Sequence, residues 1–313
     1  MSEEEKDIVY DTAIIGGGPG GLTAAMYCAR AGLKCAVIEM LSTGGQMAQT
    51  EHLENYPGFN ASTSGYELSE IMANQATSFG AEMVYDQVQS VDFESSPKVL
   101  NMAYGKLKAK TVIIASGARP AKLGIDGEDK LTGSGISYCA TCDGNFFKDK
   151  DVCVVGGGDT AVADAIYLSR ICRMVYILVR RDVLRATAIY NAKLKEMDNV
   201  EIVWNTIVKS FAEDDGMLSG VNVENVKTKE EKQIPVSACF VAVGTVPNTE
   251  FLDGAVELDM QGRILTNSVG ESSVPGVYAA GDVRTKSLYQ VTTAVADGAN
   301  AAEDAAEYLI QHE

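Results

Sequence analysis

A chain of 313 residues has room for about two domains, and 46% hydrophobic with 22% charged residues is the balance of an ordinary globular protein. Its formal charge of −17 sets it against DNA, RNA and anionic membrane surfaces, which repel a net-negative partner. No apolar run reaches the roughly 18 residues of a membrane span, and the acidic residues 1–7 lack the apolar stretch of a signal peptide, so a cytoplasmic protein is expected.

Residues 10–15 read as an apolar strand running into Gly16-Gly17-Gly18-Pro19-Gly20-Gly21. A helix pattern follows over 22–31, Gly32 stops it, and residues 35–39 read as the next strand. Strand, glycine turn, helix and strand in that order form a dinucleotide-binding unit. Gly16 permits the tight turn, Gly18 lets backbone approach a pyrophosphate, and Gly21 allows close helix–strand packing. The helix start then offers unpaired N–H groups and its positive dipole end to the phosphates. Glu39, ending the second strand, is placed to accept hydrogen bonds from ribose hydroxyls.

Further on, residues 111–115 form an apolar strand followed by Gly117 and Pro120; residues 238–243, Gly244 and Pro247 repeat the pattern. Glycine–proline segments of this kind suit hinges and crossovers. They bracket residues 118–246, which read as a second domain inserted between 1–117 and 247–313.

Seven cysteines occur, at 28, 35, 139, 142, 153, 172 and 239. Cys28, Cys35, Cys153, Cys172 and Cys239 fall in predicted helices and strands or at their ends, and read as small buried hydrophobes. Only Cys139 and Cys142, in Cys139-Ala140-Thr141-Cys142-Asp143-Gly144, have the spacing of a local disulfide. A zinc site would need two more ligands at matching spacing. His52 and His312 are remote, so no metal is expected.

Just downstream the first pattern returns. Residues 151–155 form a strand, Gly156-Gly157-Gly158-Asp159-Thr160 a turn, a helix runs through Leu168, and 174–179 form the next strand. That strand ends in Arg180-Arg181, with Arg185 one turn on, rather than in an acid. Guanidiniums bind a 2′-phosphate that a carboxylate would repel, so this unit reads as an NADPH site; the alternative is a solvated strand end. Near the C-terminus, residues 277–280 form a strand ending in Gly281-Asp282, and a helix pattern spans about 291–310. An aspartate there can hold a polyol hydroxyl, and the helix start near Gln290 can face negative charge on a reduced ring. A ribitol and a flavin ring satisfy both, so the first site reads as FAD.

With these residues the chain resembles the low-molecular-weight bacterial thioredoxin reductases over essentially its whole length. The resemblance rests on Gly16 to Gly21, Gly44-Gly45-Gln46, Glu54-Asn55-Tyr56-Pro57-Gly58, Cys139 to Gly144, Gly156 to Ala161, Arg180-Arg181-Asp182 and Gly281-Asp282-Val283. It implies an α/β fold of two Rossmann-like three-layer domains, the second inserted into the first, and a homodimer. It also adds Gly45, Gln46, Asn55, Val88, Gly117, Tyr289, Gln290 and Val291 to the FAD-binding set. Two positions depart from the family pattern: Val179 stands where a histidine is usual, and Tyr289 where an arginine is usual.

The mechanism so implied takes electrons from NADPH through FAD and the Cys139–Cys142 disulfide to thioredoxin or a similar dithiol protein. By the resemblance Cys142 faces the flavin; Cys139 then attacks the partner as a thiolate. Asp143 is a candidate acid/base for the leaving thiol, or else a turn-capping aspartate. Nicotinamide and cysteines both belong to the inserted domain and must reach one flavin in turn or from opposite faces, so that domain is expected to rotate about its hinges. Reductases using ferredoxin, NADH or another donor, a flavin redox sensor without turnover, and an oxidase of small dithiols stand as alternatives.

Overall fold

The computed structural model describes residues 8–50, 53, 55–59 and 63–312. Residues 1–7, His52 and Glu54, named above, lie outside them. The chain divides into two compact units, Met1–Arg119 with Val246–Glu313, and Pro120–Thr245.

In the first unit, the strand Val9–Ile15 is buried along nearly all its length, as expected for a parallel strand covered on both faces. It pairs in parallel with Cys35–Glu39 on one side and Gly105–Ile114 on the other, in a seven-stranded sheet that also holds Glu82–Tyr85, Lys98–Met102, Val88–Asp92 and Val277–Ala279. Alternation then sends Ala13, Ile15, Ile38 and Ile114 into one core layer. Ile14, Val37 and Ile113 enter the other, beneath the helix Pro19–Arg30 and the C-terminal helix Val291–His312. Alanines bring these helices close. A Cβ at Gly298 would stand 2.1 Å from the Gly20 carbonyl oxygen, so the contact requires glycine. Each fully buried Ile or Val adds about 1.5–3 kcal/mol.

The inserted unit repeats the plan. Its parallel sheet runs Val200–Trp204, Met174–Val179, Asp151–Val155, Ala238–Val241 and Ile136–Ser137. Val152, Val154, Ile177 and Phe240 pack on the helix side under Asp159–Ser169. Cys153, Val155, Leu178 and Val241 pack against a three-stranded antiparallel sheet, Thr206–Asp214, Met217–Asn225 and Glu231–Ile234. Its first hairpin turns on Asp215 and Gly216, both at positive φ, the geometry of a tight two-residue loop.

Five cysteines are free and buried: Cys28, Cys35, Cys153, Cys172 and Cys239. Burial pushes the Cys28 thiol up to about 12 and the Cys172 thiol up to about 11. As the sequence suggests, they pack as small apolar residues. Among the described residues no helix is long and apolar enough to cross a membrane.

Candidate active site

In each unit one parallel strand, Val9–Ile15 or Asp151–Val155, runs into a glycine turn wedged against a neighbouring strand. Gly16 takes φ 106°, and a Cβ on it would lie 2.4 Å from the Ala115 carbonyl oxygen. Gly156, at φ 150°, stands in the same relation to Ala242, at 2.3 Å. Behind the first turn, a Cβ on Gly21 would collide with the Gly16 carbonyl oxygen at 1.9 Å. In contrast, nothing lies within 4 Å of a Cβ built on Gly18 or Gly158. Both turns therefore combine crowded glycines that fix the backbone with one open glycine at the helix start, where a phosphate would approach.

Around the first turn, Gly17 donates its N–H to Glu39 Oε2 at 2.8 Å, and Leu41 donates to Glu39 Oε1 at 3.1 Å. Glu39 thus braces the turn, and each oxygen keeps a lone pair for a ribose hydroxyl. Gly44 donates to the Gly17 carbonyl at 2.7 Å, which brings Gly45 alongside Gly18. Gln46 Nε2 donates to the Ala118 carbonyl, and Gly117 sits at φ 65° in the same unit. Asn55 Nδ2 donates to Gln290 Oε1 at 2.8 Å. Val88 opens its strand with its side chain in the core, leaving only backbone for a ligand. Met47 is buried and packs with Leu53 and Leu68.

The C-terminal elements complete this cradle. A Cβ on Gly20 would meet the Ala294 carbonyl and the Gly281 nitrogen at 3.2 and 3.5 Å, so turn, strand end and long helix converge. Burial pushes the Asp282 carboxyl up, opposed by Lys286, whose Nζ lies 3.6 Å away. Behind it Asp297 takes charge-assisted bonds from Arg284 at 2.7 Å and Lys286 at 3.0 Å. The Tyr289 ring stands 4.6 Å from the Arg263 guanidinium and 5.6 Å from Lys286 Nζ, a cation–π arrangement the sequence did not signal. Tyr289 precedes Gln290 and Val291, and Val291 starts the long helix and packs near Met47. The glycine cradle, the braced acid and the half-buried Asp282 fit a flavin dinucleotide.

Beside the second turn lies a cavity of about 370 Å³ lined by Gly156, Gly157, Val179, Arg180, Arg181, Arg185 and Lys122, among others. All three arginines are exposed, and their guanidiniums make no hydrogen bond or ion pair with a described residue. Val179, 3% exposed, lies under Gly157, whose Cβ would stand 3.1 Å from Val179 Cγ1. An apolar wall therefore occupies the position where the family pattern has a histidine. Asp159 Oδ1 accepts from the Thr187 N–H at 2.6 Å, tying the helix start to the loop after the arginines. Thr160 is exposed beside it. Lys122 escaped the sequence reading because it lies far upstream of the motif. This cavity fits an NADP-type nucleotide.

Cys139 and Cys142 form a disulfide. Cys139 caps the short helix Ala140–Asp143, and its Sγ accepts the Cys142 N–H at 3.2 Å. Cys142 is exposed, and Cys139 and Asp143 are half-buried. Asp143 Oδ2 accepts from Ser137 Oγ at 2.7 Å.

Comparison with known proteins agrees with this geometry. Residues 10–298 match the family model described as pyridine nucleotide-disulphide oxidoreductase. The thioredoxin reductase of Bacillus subtilis (strain 168) is 43% identical over 309 residues, covering 99% of this chain and 96% of that protein. That of Peptoclostridium acidaminophilum is 43% identical over 307 residues, 96% of this chain and 97% of its own. The crystal structure of Lactococcus lactis thioredoxin reductase superposes with a TM-score of 0.93 at 39% identity, covering 96% of this chain and 99% of that one. The chain therefore belongs to the pyridine nucleotide-disulphide oxidoreductases, among the thioredoxin reductases.

Proposed function

We propose that the chain is an NADPH-dependent thioredoxin-disulfide reductase that uses FAD and the Cys139–Cys142 disulfide. The observation that carries this reading is the disulfide in the same unit as a glycine turn flanked by three exposed arginines whose guanidiniums have no partner among the described residues. The first unit, bounded as 1–117 with 247–313, is the FAD domain, and 118–246 the NADPH domain. Bound FAD would supply two-electron chemistry between a pyridine nucleotide and a disulfide.

On the nucleotide side, Gly156 and Gly158 admit the pyrophosphate, and Arg180, Arg181 and Arg185 hold the 2′-phosphate. On the flavin side, the turn from Gly16 to Gly21, Glu39, Gly45, Gln46, Asn55, Gly281, Asp282 and Gln290 bind and orient. At the disulfide, two electrons and two protons convert the Sγ–Sγ bond to a dithiol. Cys139, whose sulfur receives a backbone N–H, attacks one sulfur of the thioredoxin disulfide as a thiolate and expels the other. Cys142 then resolves the mixed disulfide, and Asp143 delivers a proton to a departing sulfur.

Nicotinamide and dithiol share one unit, so turnover requires them to reach the flavin alternately. A crosslink fixing the two units should abolish thioredoxin reduction without removing FAD. Five buried thiols suit a reducing cytoplasm, and the resemblance carries the homodimer, which light scattering would test.

The deciding experiment is anaerobic mixing of the yellow protein with NADPH, NADH or reduced ferredoxin while the flavin's visible band is followed. Fast bleaching by NADPH alone is expected. Bleaching only by another donor would overturn the NADPH assignment and leave the flavin–dithiol chemistry standing.

A further inference from the structure

Ser137 ends the two-residue strand Ile136–Ser137, where pairing with Phe240 of the neighbouring strand fixes its backbone. Its side chain is 4% exposed and points at the dithiol segment. The hydroxyl makes three contacts there. It accepts the Cys139 N–H at 3.1 Å and donates to Asp143 Oδ2 at 2.7 Å. The Cys139 carbonyl, at 3.3 Å, competes more weakly for the same proton. One buried hydroxyl thus closes a ring across the motif, from the backbone of the first cysteine to the carboxylate that follows the second. Asp143 Oδ1 has no partner among the described residues, so the bond to Oδ2 fixes the carboxylate while leaving one oxygen to exchange a proton.

We infer that Ser137 is a positioning residue for disulfide exchange: through its hydroxyl it holds Asp143 at the sulfur that must be protonated. The inference rests on the reading of Asp143 as the proton donor. Ser137 does not touch the reacting atoms and neither gains nor loses a proton over the cycle. What it supplies is orientation, and a donor displaced by about 1 Å loses one to two orders of magnitude in rate. The rigid sheet carries that orientation, because the strand bearing Ser137 is anchored by Cys239 and Phe240 opposite Ile136 and Ser137.

The test uses the FAD-loaded full chain with NADPH and thioredoxin. Ser137→Ala should lower kcat about tenfold and leave KM for thioredoxin within about twofold. Ferricyanide reduction, which bypasses the dithiol, should not change. Asp143→Asn should lose about a hundredfold, and adding Ser137→Ala to it should cost nothing further. The same order should appear in single-turnover oxidation of the prereduced protein by an aliphatic disulfide, whose departing sulfur needs the proton, without nucleotide. Should Ser137→Ala fail to fold, Ser137→Thr and Ser137→Val form a pair of equal volume that differs by the hydroxyl. Thr should keep near-normal kcat and Val should show the tenfold loss. Equal rates for Thr and Val, full rate for Ser137→Ala, or a loss that multiplies that of Asp143→Asn would each overturn the inference. Full activity of Asp143→Asn alone would instead remove the reading of Asp143 on which it rests.

Discussion

Asn55 and Gln290 are separated by 235 positions in the chain, yet Asn55 Nδ2 and Gln290 Oε1 meet at 2.8 Å at the start of the C-terminal helix. The bond ties the loop after Gly44-Gly45-Gln46 to the helix start that completes the proposed flavin cradle. Both side chains are exposed, so the bond contributes about 1 kcal/mol. Asn55→Ala or Gln290→Ala should weaken FAD retention about fivefold, read from flavin fluorescence released on dilution. The double variant should lose little more than either single one. Independent, multiplying losses would show that the two residues do not act as a pair.

The two open glycines should separate the proposed ligand binding from folding. A methyl group at Gly18 or Gly158 meets nothing in the chain, so Gly18→Ala and Gly158→Ala should keep the thermal midpoint of the ligand-free protein within about 2 °C. The first should lose FAD, and the second should keep FAD but raise KM for NADPH at least tenfold. Gly21→Ala places its methyl 1.9 Å from the Gly16 carbonyl oxygen and should fail to fold stably. Normal nucleotide binding by either open-site variant would place the phosphates elsewhere.

The guanidiniums of Arg180, Arg181 and Arg185 have no partner among the described residues to lose. Replacing any one with alanine should leave stability unchanged and raise KM for NADPH about 10- to 100-fold, the loss of one charge-assisted contact. KM for NADH should move less than about threefold, and the NADPH effect should shrink as salt rises. Equal losses with both nucleotides would assign the arginines to the shared pyrophosphate instead of the 2′-phosphate.

Asp164, on the helix Asp159–Ser169, has no ion pair or hydrogen bond with a described residue, and burial pushes its carboxyl up from 3.8 to about 7. With the folded-state value above the unfolded one, the contribution of this group to stability is complete below about pH 4. It falls away between about pH 4 and 7 and is level above that. The full shift corresponds to about 4 kcal/mol. The side chain keeps some solvent contact, so about 2 kcal/mol is expected. Asp164→Asn should therefore gain stability at pH 8 and show little difference from the parent near pH 4. Urea unfolding at the two pH values checks it, and a gain of equal size at both would point to packing.

Much of the fold could be read from local pattern. The strands Cys35–Glu39 and Met174–Val179 fall where apolar runs end in Glu39 and Arg180, and each glycine turn has the strand before it and helix after it that the spacing predicts. The antiparallel sheet of the inserted unit carried a signal too, Asp215-Gly216 between half-buried strands, but it bears no chemistry and drew no reading. Elsewhere the information is tertiary. Nothing in the order of residues brings Asn55 to Gln290 or Arg263 onto the Tyr289 ring. Ser137 lies six positions before Asp143, but its direction depends on which strand it pairs with, a fact held by Phe240 about a hundred residues later. Glu39 illustrates the mixture: its place at a strand end was legible, its bracing of Gly17 was not.

The wedging of Gly16 against Ala115, and of Gly156 against Ala242, has a bearing on how this enzyme could be redesigned. Ala115 and Ala242 are the last supported positions before the chain leaves its sheets for Gly117 and Gly244, the glycines of the two crossovers. The floor of each proposed nucleotide cradle and the root of each connecting segment are thus one and the same piece of backbone. On the proposed function, softening a crossover to speed a movement of the units should loosen the grip on a cofactor, and tightening a cradle should stiffen the joint. If the proposed function holds, affinity and mobility would have to be adjusted together, because both bear on the Ala115 and Ala242 carbonyl groups.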